Sequence, residues 1–189
     1  MKLYGRENLT ESMRTVRKNT ITIAKDIPEE SYSYRPTAES RSVAEVLLHI
    51  AAVWQITYQL HEVERRSSLR DFDFDAFFRG PWMTEKETFS KQQIIELLQT
   101  EGKRLSAWIE RLPDSVLVET VQMPEGFYPE RKTRFEMLVG AKEHEMHHRA
   151  QLMVAQRLLG IVPHLTLNRR TKPPEAATRT AEAVPVATH

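Results

Sequence analysis

The sequence predicts an all-α domain folded as an antiparallel four-helix bundle with long connections between helices. Four segments carry apolar residues at every third or fourth position, and each begins at a capping signal. Only 6 glycines and 10 prolines interrupt the 189 residues, which is too few for a fold made of many tight turns. Helices with one apolar stripe bury it by packing side by side, so these observations together favour a bundle.

Each predicted helix starts at a polar side chain that can cap the backbone, and three of the four end at a proline or glycine. In every case Glu or Gln follows the capping residue by three positions, which is the pattern of a capping box. A proline stops the first and third helices, and Gly160 is the expected C-cap of the fourth. The predicted helices, in order, cover residues 8–27 with Asn8 as cap, 42–63, 90–112 and 133–160.

Two connections, 67–89 and 113–132, are long enough to form structure of their own. The first contains five aromatic residues, too many for a solvated linker, so we expect it to fold back over one end of the bundle as an extension of the core or as a lid. These residues are Phe72, Phe74, Phe77, Phe78 and Trp82. Beyond position 168 the apolar period stops, and 169–189 is predicted to be a disordered tail after a bundle domain of residues 1–168.

Composition excludes several classes of function. Lys and Arg number 27 against 26 Asp and Glu, which leaves no net field to attract nucleic acid. The absence of cysteine removes disulfides, thiol nucleophiles and thiolate metal sites. No apolar run approaches 18 residues, the mean hydropathy is -0.50, and the N-terminus lacks a signal-peptide pattern. We therefore expect a cytoplasmic protein without a membrane segment.

Three of the seven histidines are candidates for metal binding. His144 and His148 are one helical turn apart on the apolar side of the fourth helix, close enough for both to bind one ion. His49 lies within the apolar stripe of the second helix, where its ring nitrogens need polar partners. His147 points away from the apolar stripe of its helix. Singly, each histidine is explained as a core or surface residue, but three that converge from two buried stripes favour a His₃ metal site.

These residues occur in two segments, SYSYRPTAESRSVAEVLLHIA and EHEMHHRAQLMVAQRLLG, that resemble the DinB/YfiT-like superfamily of metal-binding four-helix bundles over residues 1–165. The resemblance implies that His49, His144 and His148 bind one divalent ion, zinc or nickel. Ala150 departs from the family pattern, in which many members have glycine. A di-iron carboxylate site is disfavoured, because Glu145 and His148 match half of that motif while Glu45 and His49 are one residue too far apart.

Three protein ligands leave a coordination position for substrate, as in catalytic metal sites. The resemblance implies a metal-dependent thiol S-transferase or isomerase, or a hydrolase-like enzyme, that acts on a small molecule. An external low-molecular-weight thiol such as bacillithiol, mycothiol or glutathione would supply the sulfur that this cysteine-free chain lacks. The alternative is a non-catalytic metal-binding stress protein.

Two further features remain outside this pattern. Glu101 lies in the middle of the apolar stripe of the third helix, so its carboxylate needs a metal, a histidine N–H or an arginine. A role as general base or as support for a ligand is one hypothesis, and a simple salt bridge or a locally rotated helix is the other. The fourth helix also has a second apolar line, which predicts a homodimer unless another part of the chain covers it. This line consists of Phe135, Val139, Met146, Ala150 and Met153.

Overall fold

A computed structural model of the chain describes residues 4–78 and 89–171, and most of these residues are helical. A 3₁₀ turn follows the first helix, and a π-helical turn, Gln59–Val63, continues the second. The helices are α1 (Arg6–Asp26), α2 (Val43–Tyr58), α3 (Phe74–Phe78), α4 (Lys91–Arg111), α5 (Asp114–Leu117), α6 (Arg134–Leu158) and α7 (His164–Thr171), and the strands are β1 (Thr120–Gln122) and β2 (Arg131–Thr133).

The long helices α1, α2, α4 and α6 form the predicted four-helix bundle, which confirms the all-α fold class. Both α1 and α2 pack against α4 and α6, so α1 lies diagonally opposite α2 and α4 lies diagonally opposite α6. Two apolar clusters fill the core, one at each end. The end of α1, the start of α2, the start of α4 and the end of α6 meet in the first cluster, so two helices run in each direction and α2 is parallel to its neighbour α4.

This arrangement explains the long connection between the second and third predicted helices. The chain leaves α2 at one end of the bundle and must return to the other end before α4 begins. The described part of this connection packs where α2 ends and α6 begins, in a third apolar cluster that extends the core there. Trp82 and the side chain of Phe78 lie outside the described residues. This cluster contains Ile56, Leu60, Leu69 and Val121, with Phe72, Phe74, Phe77 and Met137 packed against it.

The connection between the third and fourth predicted helices contains α5 and an antiparallel hairpin that sequence reasoning did not predict. In the hairpin Thr120 pairs with Thr133 and Gln122 with Arg131. The backbone of Gln122 also bonds to the other long connection. The Gln122 N–H donates to the Ser67 carbonyl, and the Gln122 carbonyl accepts from the Leu69 N–H. Strands of three residues are too short to show the alternation by which strands are recognised.

Three of the four predicted helix starts are confirmed, since Ser42, Ser90 and Thr133 each accept a hydrogen bond from the N–H three residues later. The start of the first helix at Asn8 was wrong. The helix begins at Arg6, and the Asn8 side chain instead accepts a hydrogen bond from the Gly5 N–H at 3.3 Å. At the other end of the chain α7 continues to Thr171, beyond the predicted boundary at 168, and 172–189 lie outside the described residues.

Most residues of the second apolar line of α6 pack against the core of the same chain. Phe135 and Val139 pack against the core cluster that contains Leu9 and Met13 of α1, and Met153 packs against the other cluster. Since α6 touches both α1 and α2, it needs two apolar sides within one bundle. The predicted homodimer is therefore not required to cover this line, and it stays a prediction.

The segment Val43–Val63 is apolar and long enough to cross a membrane by composition alone. In the structure 67% of its most apolar window is buried inside the bundle. Its apolar side chains are those that a central core helix needs.

Candidate metal centre

The structure brings together the three predicted side chains, His49 from α2 and His144 and His148 from α6. The Nε2 atom of His144 lies 3.3 Å from Nε2 of His49 and 3.1 Å from Nε2 of His148. One ring nitrogen from each residue lies within 4.8 Å of the other two. His49 and His148 are each only 6% exposed, whereas His144 is half-buried and reaches the edge of a cleft.

This spacing fits a divalent ion bound by three imidazoles. Zinc–nitrogen bonds of about 2.0–2.1 Å at tetrahedral angles place the nitrogen atoms about 3.3–3.4 Å apart. Three nitrogens that face one another at such distances repel through their lone pairs unless protons or a cation lie between them. The three histidines could therefore hold a metal ion.

Gln151 orients His148, although sequence reasoning did not single it out. The Nδ1–H of His148 donates to Oε1 of Gln151 at 2.8 Å, and Nε2 of Gln151 donates to Nε2 of His147 at 3.1 Å. With its proton on Nδ1, His148 presents the lone pair of Nε2 to the other two histidines. His147 itself is exposed and faces away from the cluster, as its position on the helix predicts. The i, i+3 spacing of Gln151 from His148 was the available signal.

Burial keeps the three imidazoles neutral, which is the form that binds metals. It lowers the pKa of His49 to about 3, assisted by the charge of Arg41 and by the other two histidines. Burial likewise lowers the pKa of His144 to about 4. It also lowers the pKa of His148, although the hydrogen bond that His148 donates to Gln151 acts in the opposite direction. Arg41, in the loop before α2, is the cation that acts on all three.

Glu101 is buried as predicted, and of the three partners expected for it the structure provides arginine. It forms an ion pair with Arg104, one turn along α4, and Arg17 also lowers its pKa. Burial is the larger influence and raises the pKa of the Glu101 carboxyl overall. This is the salt-bridge alternative, and the role of Glu101 as general base or ligand support stays a prediction.

Glu145, the acid of the half-matched di-iron motif, is occupied by α1. Its Oε2 accepts hydrogen bonds from Nε and Nη2 of Arg17 at 3.2 and 3.0 Å, and both side chains are almost fully buried. Nη1 of Arg17 donates to the Leu98 carbonyl, and the guanidinium lies 3.9 Å from the centre of the Trp54 ring. This carboxylate therefore balances a buried cation and positions α6 against α1, which argues further against the di-iron alternative.

His61 is a buried histidine that sequence reasoning missed. It lies in the π-helical turn after α2, 4% exposed, with Nδ1 accepting a hydrogen bond from Nη1 of Arg134 at 2.9 Å. Burial, followed by the charge of Arg134, lowers its pKa to about 4. Its position one residue after the apolar Leu60 was the only signal in the sequence, because the arginine partner is more than seventy residues away.

Two cavities border the groove between α2 and α6 in which the histidines lie. One, of about 490 Å³, is lined by His144 and by apolar residues of both helices. The other, of about 530 Å³, is lined by Arg41, Gln151 and the loop before α2. Of these two cavities the first includes His144 in its wall, so a small molecule could reach the histidines through it.

Comparisons with known proteins agree with this architecture. The family model of the DinB superfamily matches residues 12–152. Among solved structures, a DinB-like protein (YjoA) from Bacillus subtilis has 23% identity and a TM-score of 0.59, with 80% of this chain and 92% of that chain covered. YfiT from Bacillus subtilis, a probable metal-dependent hydrolase with an unusual four-helix bundle topology, has 17% identity and a TM-score of 0.67, with 85% and 91% covered.

The identities to these two structures show a shared fold, and the family match covers most of the bundle and includes His49, His144 and His148. Comparison with curated proteins gives no significant match. The chain therefore belongs to the DinB superfamily.

Proposed function

We propose that the chain is a metal-dependent enzyme of the cytoplasm that acts on a small molecule, with one zinc or nickel ion bound by His49, His144 and His148. The observation that supports this is the meeting of three neutral, mostly buried imidazoles within 4.8 Å, beside a cavity whose wall includes His144. Three neutral ligands leave the charge of a divalent ion uncompensated by the protein, which suits an ion that activates a substrate.

A divalent ion at this position lowers the pKa of a water or thiol that it binds. The chain's own residues prepare the site. Gln151 keeps the proton of His148 on Nδ1, burial keeps His49 neutral, and Arg41 adds positive charge beside the cluster. Because the chain contains no cysteine, thiol S-transfer or isomerisation needs an external low-molecular-weight thiol.

Hydrolysis is the second candidate, favoured by the similarity in fold to YfiT, a probable metal-dependent hydrolase. In hydrolysis the bound ion would activate a water molecule as the nucleophile, where the transfer reaction uses a thiol. A non-catalytic metal-binding protein is the remaining alternative, and it would leave both cavities without substrate.

Metal content tests the site first. We expect elemental analysis of the purified protein to give one zinc or nickel per chain, and His49→Ala, His144→Ala and His148→Ala each to lose most of it. His147→Ala is the matched control on the same turn of α6, and its metal content should equal that of the wild type. Equal metal content in all four variants would refute the assignment of the ligands.

A substrate screen then separates the candidate reactions. The metal-loaded protein is incubated with electrophiles in the presence of bacillithiol, mycothiol or glutathione, and separately with ester and amide substrates without thiol. Thiol-dependent turnover that disappears in His144→Ala supports transfer, and thiol-independent turnover supports hydrolysis. A protein that binds metal but turns over nothing in either screen, and folds equally well without metal, would be a metal-binding protein only.

We also propose a homodimer over the outer side of α6, where apolar side chains are exposed despite the packing of the rest of this helix. Met146 is 40% exposed, Val154 53% and Leu158 59%. Sedimentation equilibrium should give a dimer for the wild type and a monomer for Met146→Glu. A monomeric wild type would end this part of the proposal.

A further inference from the structure

The cavity of about 490 Å³ beside His144 is a cleft between α2 and α6 that the two long connections help to form. His144 contributes to one part of its wall. Glu136 and Lys132, which precede His144 in the chain, contribute to another part, and Glu136 lies eight helical positions before His144, which corresponds to about 12 Å. The cleft is therefore long enough for an extended small molecule that has one end at the histidines.

Most side chains between these ends are apolar. Those from α2 and its π-helical continuation form one wall, and residues from the two connections and from α6 complete the cleft. They include Val53, Ile56, Leu60, Phe74, Phe127 and Met137. Such a surface gains free energy when it leaves water against another apolar surface. Thr57, His61 and Asp75 add polar groups to the same cleft.

Gly140 leaves room in this cleft. It lies on α6 one turn before His144, and a Cβ atom added there would meet nothing within 4 Å. Alanine or leucine would suit the middle of a helix better than glycine does. The glycine is therefore not required by packing, and its lack of a side chain keeps the cleft open beside the metal centre.

We infer that this cleft binds the apolar body of the substrate, an alkyl chain or an aryl group, and presents the polar end of that molecule to the histidines. That the bound molecule is a substrate rests on the proposed function. Binding in the cleft itself does not need the metal, because the apolar walls lie outside the histidine cluster.

Straight-chain alcohols from butanol to octanol are suitable probes, with affinity measured by NMR titration on metal-free and metal-loaded protein. Each added methylene that enters the cleft should raise affinity about fourfold. Gly140→Leu should weaken octanol binding at least tenfold and remove the dependence on chain length. Gly140→Ala should give a smaller loss, which keeps the test informative if the leucine variant folds poorly.

Ala107→Leu is the matched control, since it adds apolar volume on an exposed position of α4, away from the cleft. It should bind octanol as the wild type does. Affinity without dependence on chain length, or octanol binding that is unchanged in both Gly140 variants, would overturn the inference. Chain-length-dependent binding without any turnover would leave the cleft assignment standing and refute only the proposed function. Turnover without chain-length-dependent binding would leave the proposed function standing and refute the cleft assignment.

Discussion

His61 shows how its surroundings change the chemistry of a single side chain. It is buried beside the Arg134 guanidinium, which donates a hydrogen bond to Nδ1, so protonation would remove an acceptor and place two cations together. The ordinary pKa of histidine is 6.5, and in the folded chain that of His61 is about 4. Nothing near His61 in the sequence indicates this shift, because it results first from burial in the folded chain and second from the charge of Arg134 on another helix.

The lowered pKa of His61 predicts a loss of stability in acid. Between pH 6.5 and about 4 the unfolded chain holds a proton here that the folded chain does not, so the free energy of unfolding falls as pH falls, by up to about 1.4 kcal/mol per pH unit from this group. In His61→Asn the Oδ1 atom can still accept from Arg134, but the proton is gone. We expect urea unfolding of the metal-free proteins to show a shallower pH profile for the variant below pH 6.5. Parallel profiles would contradict this.

Helix α2 shows how a local signal positions an element of the site. The Ser42 side chain accepts a hydrogen bond from the Glu45 N–H at 3.2 Å, and the Glu45 carboxylate accepts one from the Ser42 N–H at 2.7 Å. The cap determines where the helix begins, and His49 follows it by two turns. All of these contacts join residues three apart, which is why the start of α2 could be predicted from sequence.

Removing this cap should destabilise the protein by a small, defined amount. Ser42→Ala is expected to lower the free energy of unfolding by about 1 kcal/mol, because the Glu45 N–H loses its acceptor in a partly buried position and the alanine side chain shields it from water. Ser42→Gly should cost only a few tenths of a kcal/mol, since water can reach the freed N–H. Chemical unfolding of both variants measures the difference. Equal losses in the two would show that the hydroxyl does not act as a cap.

Across the whole molecule, the buried pair of Arg17 and Glu145 joins two helices that are far apart in the sequence. Arg17 is 4% exposed and Glu145 is 1% exposed, and two hydrogen bonds connect them. Burial lowers the pKa of Arg17, opposed by the charge of Glu145 and its hydrogen bond. The pair holds α1 against α6 next to the candidate metal centre, because Glu145 directly follows His144 in the sequence.

A double-mutant cycle measures this connection. Arg17→Met should cost about 3–5 kcal/mol of stability, because it leaves the Glu145 carboxylate buried without its cation. Arg17→Met combined with Glu145→Gln should be less destabilised than Arg17→Met alone, since no buried charge then lacks a partner. Urea unfolding of the two single variants and the double variant tests this. Additive losses would mean that the two side chains do not interact in solution.

The sequence alone was sufficient for the helices, for the inward position of Glu101 and for the selection of His49, His144 and His148 as a candidate metal site. Capping and apolar periodicity involve residues at most a few positions apart, so they are legible along the chain. The error at Asn8 has the same local origin, because Gly5 and Asn8 both offer plausible starts to one helix.

The packing of helices against one another, the hairpin, the Arg17–Glu145 pair and the cleft beside His144 follow only from the folded arrangement. Each of them joins segments that are tens of residues apart, and the sequence pattern of one helix does not specify which neighbour it will meet. Any bundle that buries the same stripes would satisfy the periodicity. The parallel placement of α2 and α4 is what requires the long return connection, and that connection in turn supplies part of the cleft.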